Sequence, residues 1–565
     1  MALPADPPVR IALFAVTTAG RRAAAEVAAA LVGAERTELD ELERRWPELD
    51  DAVFFLATGA TVRLIAPLLA DKHTDPGVVC VDEARRFAVA LAGGHAGGAN
   101  VLARRVAAVL GAQPVITTAS DAAGCTGLDE LVELLDATVD GDLAAAGTAL
   151  LDGAARVENP LGFPLPPLPP ATTAPRQPIV ITDRIGPAGA TRLVPPTLVV
   201  GIGSARGVQA AAVTATLLRL RTEHGLDPRA IRAYASVDLK ADEVGILAAI
   251  APMPLTTYPA AALAGVEVPN PSEVVRAEVG TASVAEAAAL HGAAELANGS
   301  PVELVVEKIK GENVTVAAAR IRPRGRLAIV GLGPGAADLR VPRADVELRR
   351  AAVVVGLDQY VGQVRHLLRP GTEIRTSGLG AEEQRAAQAV ALAVQGHAVA
   401  LIGSGDAGVY AMASPALQQA GSDIEVVGVP GVTAALAAAA LLGAPLGHDH
   451  VLISLSDLHT PWPVIERRVA AAATADLVTC FYNPRSRDRY WQLGAALEAL
   501  LAHRPPQTPV GAVRQAGRSG QQVWCAPLAE FDPTEVDMLT IVVVGSSATR
   551  MVAGRMVTPR GYRWN

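Results

Sequence analysis

Residues 327–340 read LAIVGLGPGAADLR. An apolar run enters glycines at 331, 333 and 335, and a helix-like pattern follows. Taken alone, GLGPGA fits a strand–turn–helix dinucleotide fingerprint, with Ala336 in place of the third glycine. Asp358 stands about 20 residues on, where such a site wants an acid. Pro334 argues against phosphate, because it removes an N–H from the segment whose amides would hold it. The plainer alternative is a tight turn that needs positive φ or close backbone approach. GIGSARG at 201–207 is a weaker instance of the same pattern.

Outward from this stretch, strand-like runs alternate with helical spacing to the C-terminus: AVVVGL, AVALIGS, IEVVGVPG, VLISLS, LVTCFYN, PVGAVR and TIVVVGS. That alternation predicts α/β layers with largely parallel sheets, in two successive lobes over 326–443 and 444–565. Upstream, a run with eight prolines over 159–178 reads as an extended spacer. The basic segment ARIRPRGR at 319–326 reads as an irregular linker before the opening strand. The expected divisions are an N-terminal α/β domain over 1–133, a variable middle segment with the Pro-rich spacer over 134–196, and a further α/β domain over 197–321.

Composition narrows the function. The chain has 565 residues, half of them hydrophobic, 19% charged and 3% aromatic. A net charge of −8 gives no footprint for nucleic acid. Its four cysteines form no CxxC, so neither a disulfide framework nor a zinc site is implied. His448, His450 and His459 lack the carboxylate or thiol spacing of a metal site. No apolar run reaches the roughly 18 residues that span a bilayer. The N-terminus has no basic region before its first apolar run. The expectation is a soluble, cytoplasmic chain.

Three further loops close strand-like runs: GSGDAGVYAMAS at 403–414, PGVTAALAA at 430–438 and FYNPRSRDR at 481–489. Together with VGLGPG and LGHDHVLISLSDLHTPW at 446–462, they resemble the tetrapyrrole methylases, specifically the C17-methyltransferases of cobalamin biosynthesis that act on precorrin-3B or cobalt-factor III. The resemblance covers residues 326 to about 550. It implies two α/β lobes with S-adenosylmethionine between them. The implied cofactor residues are Gly403, Gly405, Asp406, Val409, Tyr410, Thr433, Ala434, Tyr482 and Asn483. Glycines let the backbone wrap the ligand, Asp406 can accept hydrogen bonds or complement the sulfonium, and Thr433 and Ala434 form a small flat wall. By the same pattern Gly331, Gly333, Pro334 and Gly335 face the tetrapyrrole and leave room for it, with Arg485 among the basic contacts. Ring contraction needs an acid or base, for which Asp457, Ser456 or His459 are candidates. The loop departs from the family in having Ala336 and Ala337 before Asp338, and Arg340–Val341 where a Leu–Thr pair is usual. A homodimer through this half is expected.

The N-terminal half carries ATGATVRLIAPLLADKHTDPGVVCVDE and ALAGGHAGGANVLARR, with TTASD at 117–121. These polar loops suit an anionic small molecule, gathering Thr58, Arg63, Lys72, Asp75, His95, Asn100, Thr117, Thr118 and Asp121. With ASVDLKADEVGIL, PNPSEVV and KIKGENVTVAAAR they are similar to the cobalt-precorrin-5A hydrolases, which open a lactone and release acetaldehyde. That implies an activated water and a stabilised oxyanion, for which His95 as base and Lys72 or Lys240 at the oxyanion are candidates. Arg63 and Asn100 are candidate substrate contacts. Two other readings stand beside the bifunctional enzyme: a nicotinamide oxidoreductase using GLGPGA and Asp358, and a methyltransferase with a non-catalytic corrinoid-binding N-terminal half.

Overall fold

The computed structural model describes residues 10–71, 74–94, 98–171, 177–186, 189–487 and 489–562. Two compact units emerge, one formed mainly by residues up to 322 and the other by residues from 323 onward. Each is described by itself.

In the first unit, Asp51–Phe55 pairs in parallel with Ile11–Ala15 and with Gly77–Val81. The next strand, Phe87–Ala92, turns back antiparallel, and Gln113–Val115 runs alongside it. Helices Thr18–Ala30 and Ala99–Leu110 cover one face through Ala24, Val27, Leu102 and Val106. The segment 134–196 builds a four-stranded sheet of its own, with Gln177–Ile181 between Thr191–Val194 and Ala155–Glu158. The Pro-rich run is therefore shorter than its composition suggests, since Pro178 already lies in a strand. A third sheet has five strands between Leu198 and Ile321, centred on Leu198–Ser204.

In the second unit, the first lobe is a five-stranded, wholly parallel sheet in the order Glu373–Ser377, Val353–Leu357, Ala398–Gly403, Gly325–Gly331, Ile424–Val429. Gly325–Gly331 is buried along its whole length, as expected of a strand covered on both faces. Helices Pro342–Arg350 and Asp358–Val364 pack Leu348 and Val361 against Ala328, Val330 and Ile402 on one face. Helices Glu382–Val394 and Ala413–Leu417 pack Ala386, Ala389 and Ala416 against Leu327, Ile329 and Leu401 on the other. The connections after Gly325–Gly331 and Ala398–Gly403 therefore leave on opposite faces of adjacent strands. Such a switch point opens a crevice at the strands' C-terminal ends. The second lobe is mixed: His450–Ser454 and Val478–Tyr482 are parallel, and Thr540–Val544, Pro509–Arg514 and Gln522–Pro527 follow antiparallel.

The linker expected over 319–326 is corrected to three residues, 322–324. Ala319 to Ile321 finish one strand and Gly325–Arg326 begin the next. The arginines that make the segment look solvated are consumed by carboxylates. Arg320 pairs with Asp183 and Glu303, and Arg326, 3% exposed, pairs through both terminal nitrogens with Glu347. A fragment starting at Arg322 should thus be soluble and fold alone. Within it, Arg326→Met should cost about 2–3 kcal/mol in urea denaturation by leaving the buried Glu347 to Arg343, which bonds it at 2.8 Å, and adding Glu347→Leu should recover most of that loss. A single variant as stable as its parent would show the pair to be dispensable.

Candidate functional site

The glycine loops meet at the switch point. Gly333 and Gly405 form a two-way backbone bridge, N to O at 3.0 and 2.7 Å, and Leu332 N donates to Gly403 O at 2.9 Å. A Cβ on Gly331 would lie 2.8 Å from both Gly405 O and Gly431 N, and one on Gly431 would lie 2.1 Å from Gly405 O. Gly333 has φ +74°, and a Cβ there would stand 2.7 Å from Leu339 O. At Gly335 a Cβ would run into the Arg518 side chain. The protein itself excludes a Cβ at all three positions, so Gly331, Gly333 and Gly335 serve close packing within the chain. The same bonds use the amides of Leu332 and Gly333 that a pyrophosphate would need, and Pro334 has none.

Asp406 accepts hydrogen bonds, one of the two roles expected of it, from backbone within the protein. Its Oδ1 accepts from Gly408 N at 2.8 Å and its Oδ2 from Gly431 N at 2.9 Å. The carboxylate binds the 403–408 and 430–433 loops together. Gly403 is the contrasting glycine. It is buried, its φ is ordinary, and a Cβ there would meet nothing nearer than Ala411 Cβ at 3.9 Å. Thr433 and Ala434 open the helix Ala434–Leu442. The second lobe supplies that helix's cap: Tyr482 Oη accepts from Ala435 N at 3.0 Å and bonds Thr433 Oγ1 at 2.5 Å. Burial raises the Tyr482 pKa, with the Thr433 and Ala435 bonds opposing. Tyr410, at φ +51°, donates from its hydroxyl to Leu452 O at 2.7 Å and leans on the Tyr482 ring. Val409 packs against the same cluster. Gly403, Gly405, Asp406, Val409, Tyr410, Thr433, Ala434 and Tyr482 are thereby brought to one edge.

Asn483, also at positive φ, donates to Ser454 Oγ at 3.1 Å. Beside it Asp457 is exposed and accepts from Gln492 Nε2 at 2.8 Å, while Arg489 Nη1 reaches Ser456 Oγ at 3.5 Å. Arg485 donates to Pro533 O at 3.2 Å. Two arginines escaped the sequence reading. Arg518 bonds Pro334 O at 2.7 Å and Ser404 Oγ at 2.9 Å, bridging both glycine loops from the other lobe. Arg489 is almost wholly buried, whereas Arg487 in the same FYNPRSRDR stretch is exposed. Alternate charges in a loop carry no signal for which of them turns inward.

In the first unit the gathering of Arg63 with Asn100 is corrected. Because Phe87–Ala92 runs antiparallel to Gly77–Val81, Gly93 and Gly94 lie at the opposite sheet edge from the turn after Asp51–Phe55. Thr58 sits on that latter loop against Cys80, and Arg63 folds back to Gly59 O at 3.0 Å. Asn100, buried, stands with Thr118 near Gly94. Lys72 and His95 lie outside the described residues, as does the side chain of Asp121. Lys240 belongs to a different sheet and pairs with the buried Glu243 at 3.5 Å. Sequence inspection also missed Asp51, at the same edge as Asn100. Its Oδ1 is buried without a hydrogen-bond partner, and burial, with Asp50, raises its pKa to about 6 against the pull of Arg105.

Comparison with known proteins fits this geometry. Residues 326–532 match the family model "Tetrapyrrole (Corrin/Porphyrin) Methylases". Residues 40–121 and 198–319 match "Cobalamin synthesis G N-terminal" and "Cobalamin synthesis G C-terminus". A probable cobalt-factor III C(17)-methyltransferase of Salmonella typhimurium is 47% identical, over 42% of this chain and 99% of its own length. The cobalamin biosynthesis protein CobIJ of Mycobacterium bovis is 44% identical over 42% of this chain and 48% of its own. A crystal structure of the methyltransferase CobJ is 36% identical over 42% of this chain and all of its own, with a TM-score of 0.39. The chain belongs to the tetrapyrrole methylases. More particularly, it is a cobalamin-biosynthesis methyltransferase whose N-terminal part is of the cobalamin synthesis G kind.

Two outcomes follow from these contacts. Asp406→Asn turns an N–H toward one of the two amides the carboxylate now accepts, and should cost about 1.5–3 kcal/mol of stability in the methylase unit. An unchanged urea midpoint would contradict the tie. Asp51, protonated when folded but ionised when unfolded between about pH 4 and 6, makes stability fall as pH rises through that window. Asp51→Asn should abolish this slope and gain about 2–3 kcal/mol at pH 7. A pH-independent wild-type midpoint over that window would exclude the effect.

Proposed function

We propose that the second unit transfers a methyl group from S-adenosylmethionine to C17 of precorrin-3B or cobalt-factor III, with contraction of the ring. The first unit, in this reading, opens the lactone of cobalt-precorrin-5A and releases acetaldehyde. The observation that carries the first assignment is Gly403. A Cβ there would meet nothing nearer than Ala411 Cβ at 3.9 Å, whereas one on Gly331 or Gly431 would stand 2.1–2.8 Å from neighbouring backbone. A buried glycine with that much room at its Cβ, on the edge that also carries Thr433 and Ala434, suits a bulky ligand pressed against backbone. The dinucleotide alternative is disfavoured, since the amides of Leu332 and Gly333 are already bonded.

When bound, the donor supplies an electrophilic methyl group on a positively charged sulfur. The chain's own task is then to hold two reactants in line and keep water out, which needs no protein nucleophile. Tyr410 and Tyr482 wall the edge, and Arg518 fixes the two glycine loops relative to each other. Asp457 and Ser456, at the C-terminal end of the neighbouring strand, are positioned to move a proton during ring contraction. In the first unit His95 acts as base and Lys72 or Lys240 steadies the oxyanion.

Incubating the full chain with metal-free and cobalt-loaded macrocycles plus the donor, and weighing the products by mass spectrometry, tests the activity. Gly403→Ala should fold as well as wild type yet bind S-adenosylhomocysteine about ten- to a hundredfold more weakly by calorimetry, the cost of an added methyl in a filled site. Full affinity in that variant, or NADH binding in the wild type, would reject the cofactor assignment. His95→Gln should end acetaldehyde release without changing methyl transfer; undiminished release removes His95 from the scheme.

A further inference from the structure

At the C-terminal edge of the second lobe lies a buried cation with little to hold it. Arg489 is 8% exposed. Its Nε donates to Asn483 O at 3.1 Å, its Nη2 lies 3.0 Å from the thioether sulfur of Met538, and its Nη1 reaches only Ser456 Oγ at 3.5 Å. It forms no ion pair among the described residues. Burial pushes its pKa below the ordinary arginine value, and the nearby Asp457 offsets only part of this. The Oδ2 of that carboxylate is held by Gln492.

Other buried arginines in this chain are provided for. Arg192, Arg320 and Arg326 have carboxylate partners. Arg385 gives its donors to Ser377 Oγ at 2.9 Å and Gly378 O at 2.7 Å, and Arg504 reaches the carbonyls of Gly545 and Leu477, both at 2.6 Å. Arg489 alone among these has one ordinary hydrogen bond, a sulfur and a long contact. A guanidinium has five N–H donors in a planar fork, so at least two remain uncommitted here. An uncompensated buried charge is costly, and a chain keeps one where an anion completes it.

We propose that Arg489 anchors a carboxylate of a bound ligand, beside Ser456 and Asn483. The inference rests on the methyltransferase reading, which offers two carboxylate sources: a side chain of the macrocycle, or the amino-acid end of the methyl donor. Arg489 is a positioning residue. It holds the ligand in register at the edge that carries Asp457, and takes no part in bond making.

The test uses the full chain as wild type, Arg489→Met and Arg489→Gln. Calorimetry compares S-adenosylhomocysteine with its carboxyl methyl ester, and an absorbance titration compares a polycarboxylate tetrapyrrole with the same macrocycle as its amide. Wild type should prefer the free acid of one probe at least tenfold. Both variants should lose that preference while keeping their affinity for the ester or amide, and melt no lower than wild type, since they shed an unpaired buried charge. The probe that shows the effect identifies the carboxylate. Equal acid preference in wild type and a folded variant, for both probes, overturns the proposal. A wild type that binds neither probe instead defeats the methyltransferase reading, and the inference falls with it.

Discussion

Everything at the methylase edge depends on three backbone loops approaching closer than any side chain allows. Gly331, Gly405 and Gly431 lie so near one another that a single Cβ at 331 or 431 would stand 2.1–2.8 Å from the neighbouring backbone. Real Cβ contacts do not occur at that range, so the chain must be glycine there or open the sheet edge. Asp406 locks the arrangement by accepting one amide from its own loop and one from the next. Hydrogen bonds to an ionised group are worth about 1.5–3 kcal/mol each, so the two together offset a large part of the roughly 1–2 kcal/mol per residue that ordering a short loop costs. The site's geometry is therefore set by one carboxylate and a few missing side chains.

That constraint explains why the two lobes are coupled at the edge. The helix Ala434–Leu442 begins without a cap from its own Thr433 side chain. Its free amide is satisfied by Tyr482 from the other lobe, while Tyr410 returns a bond to Leu452. Arg518 adds a third tie, from the second lobe to both glycine loops. The Tyr410 and Arg518 bonds join loops of the two lobes, while the helix itself packs on the second lobe's sheet through Ala435, Ala438 and Leu442. A change at one glycine is thereby felt at the second lobe, and Gly333 cannot be altered without disturbing Gly405, its bridge partner.

Much of this was legible in the sequence. Strand runs followed by glycine and helical spacing gave the parallel order of layers, and the loop residues 403–410, 433–434 and 482–483 do share an edge. What a glycine is for was not legible. The sequence says that a Cβ is unwelcome, not what takes its place: at Gly331 neighbouring loops do, whereas a Cβ at Gly403 would meet nothing nearer than Ala411 Cβ at 3.9 Å. The edge on which a loop falls was also hidden. One tight hairpin between Gly77–Val81 and Phe87–Ala92 reverses direction and separates Arg63 from Asn100. The arginines of 319–326 looked solvated because their partners, Asp183 and Glu347, are far away in the chain or on a later helix.

Charge poses the remaining problem. The chain carries −8 overall, yet the proposed substrate and donor both bear carboxylates. Surface repulsion is screened beyond about 8 Å at physiological ionic strength, so the global sign matters little once a ligand is close. Inside the edge, few solvent molecules intervene, and an unpaired guanidinium acts at much lower effective dielectric than an exposed lysine. Many cations of this chain are already neutralised by nearby acids, as Arg340 is by Asp345 and Arg514 by Asp537. Recognition of an anion by an acidic protein must then rest on cations that folding leaves without a counter-charge. Burial selects those few, because only a buried cation keeps its field when water and salt are present.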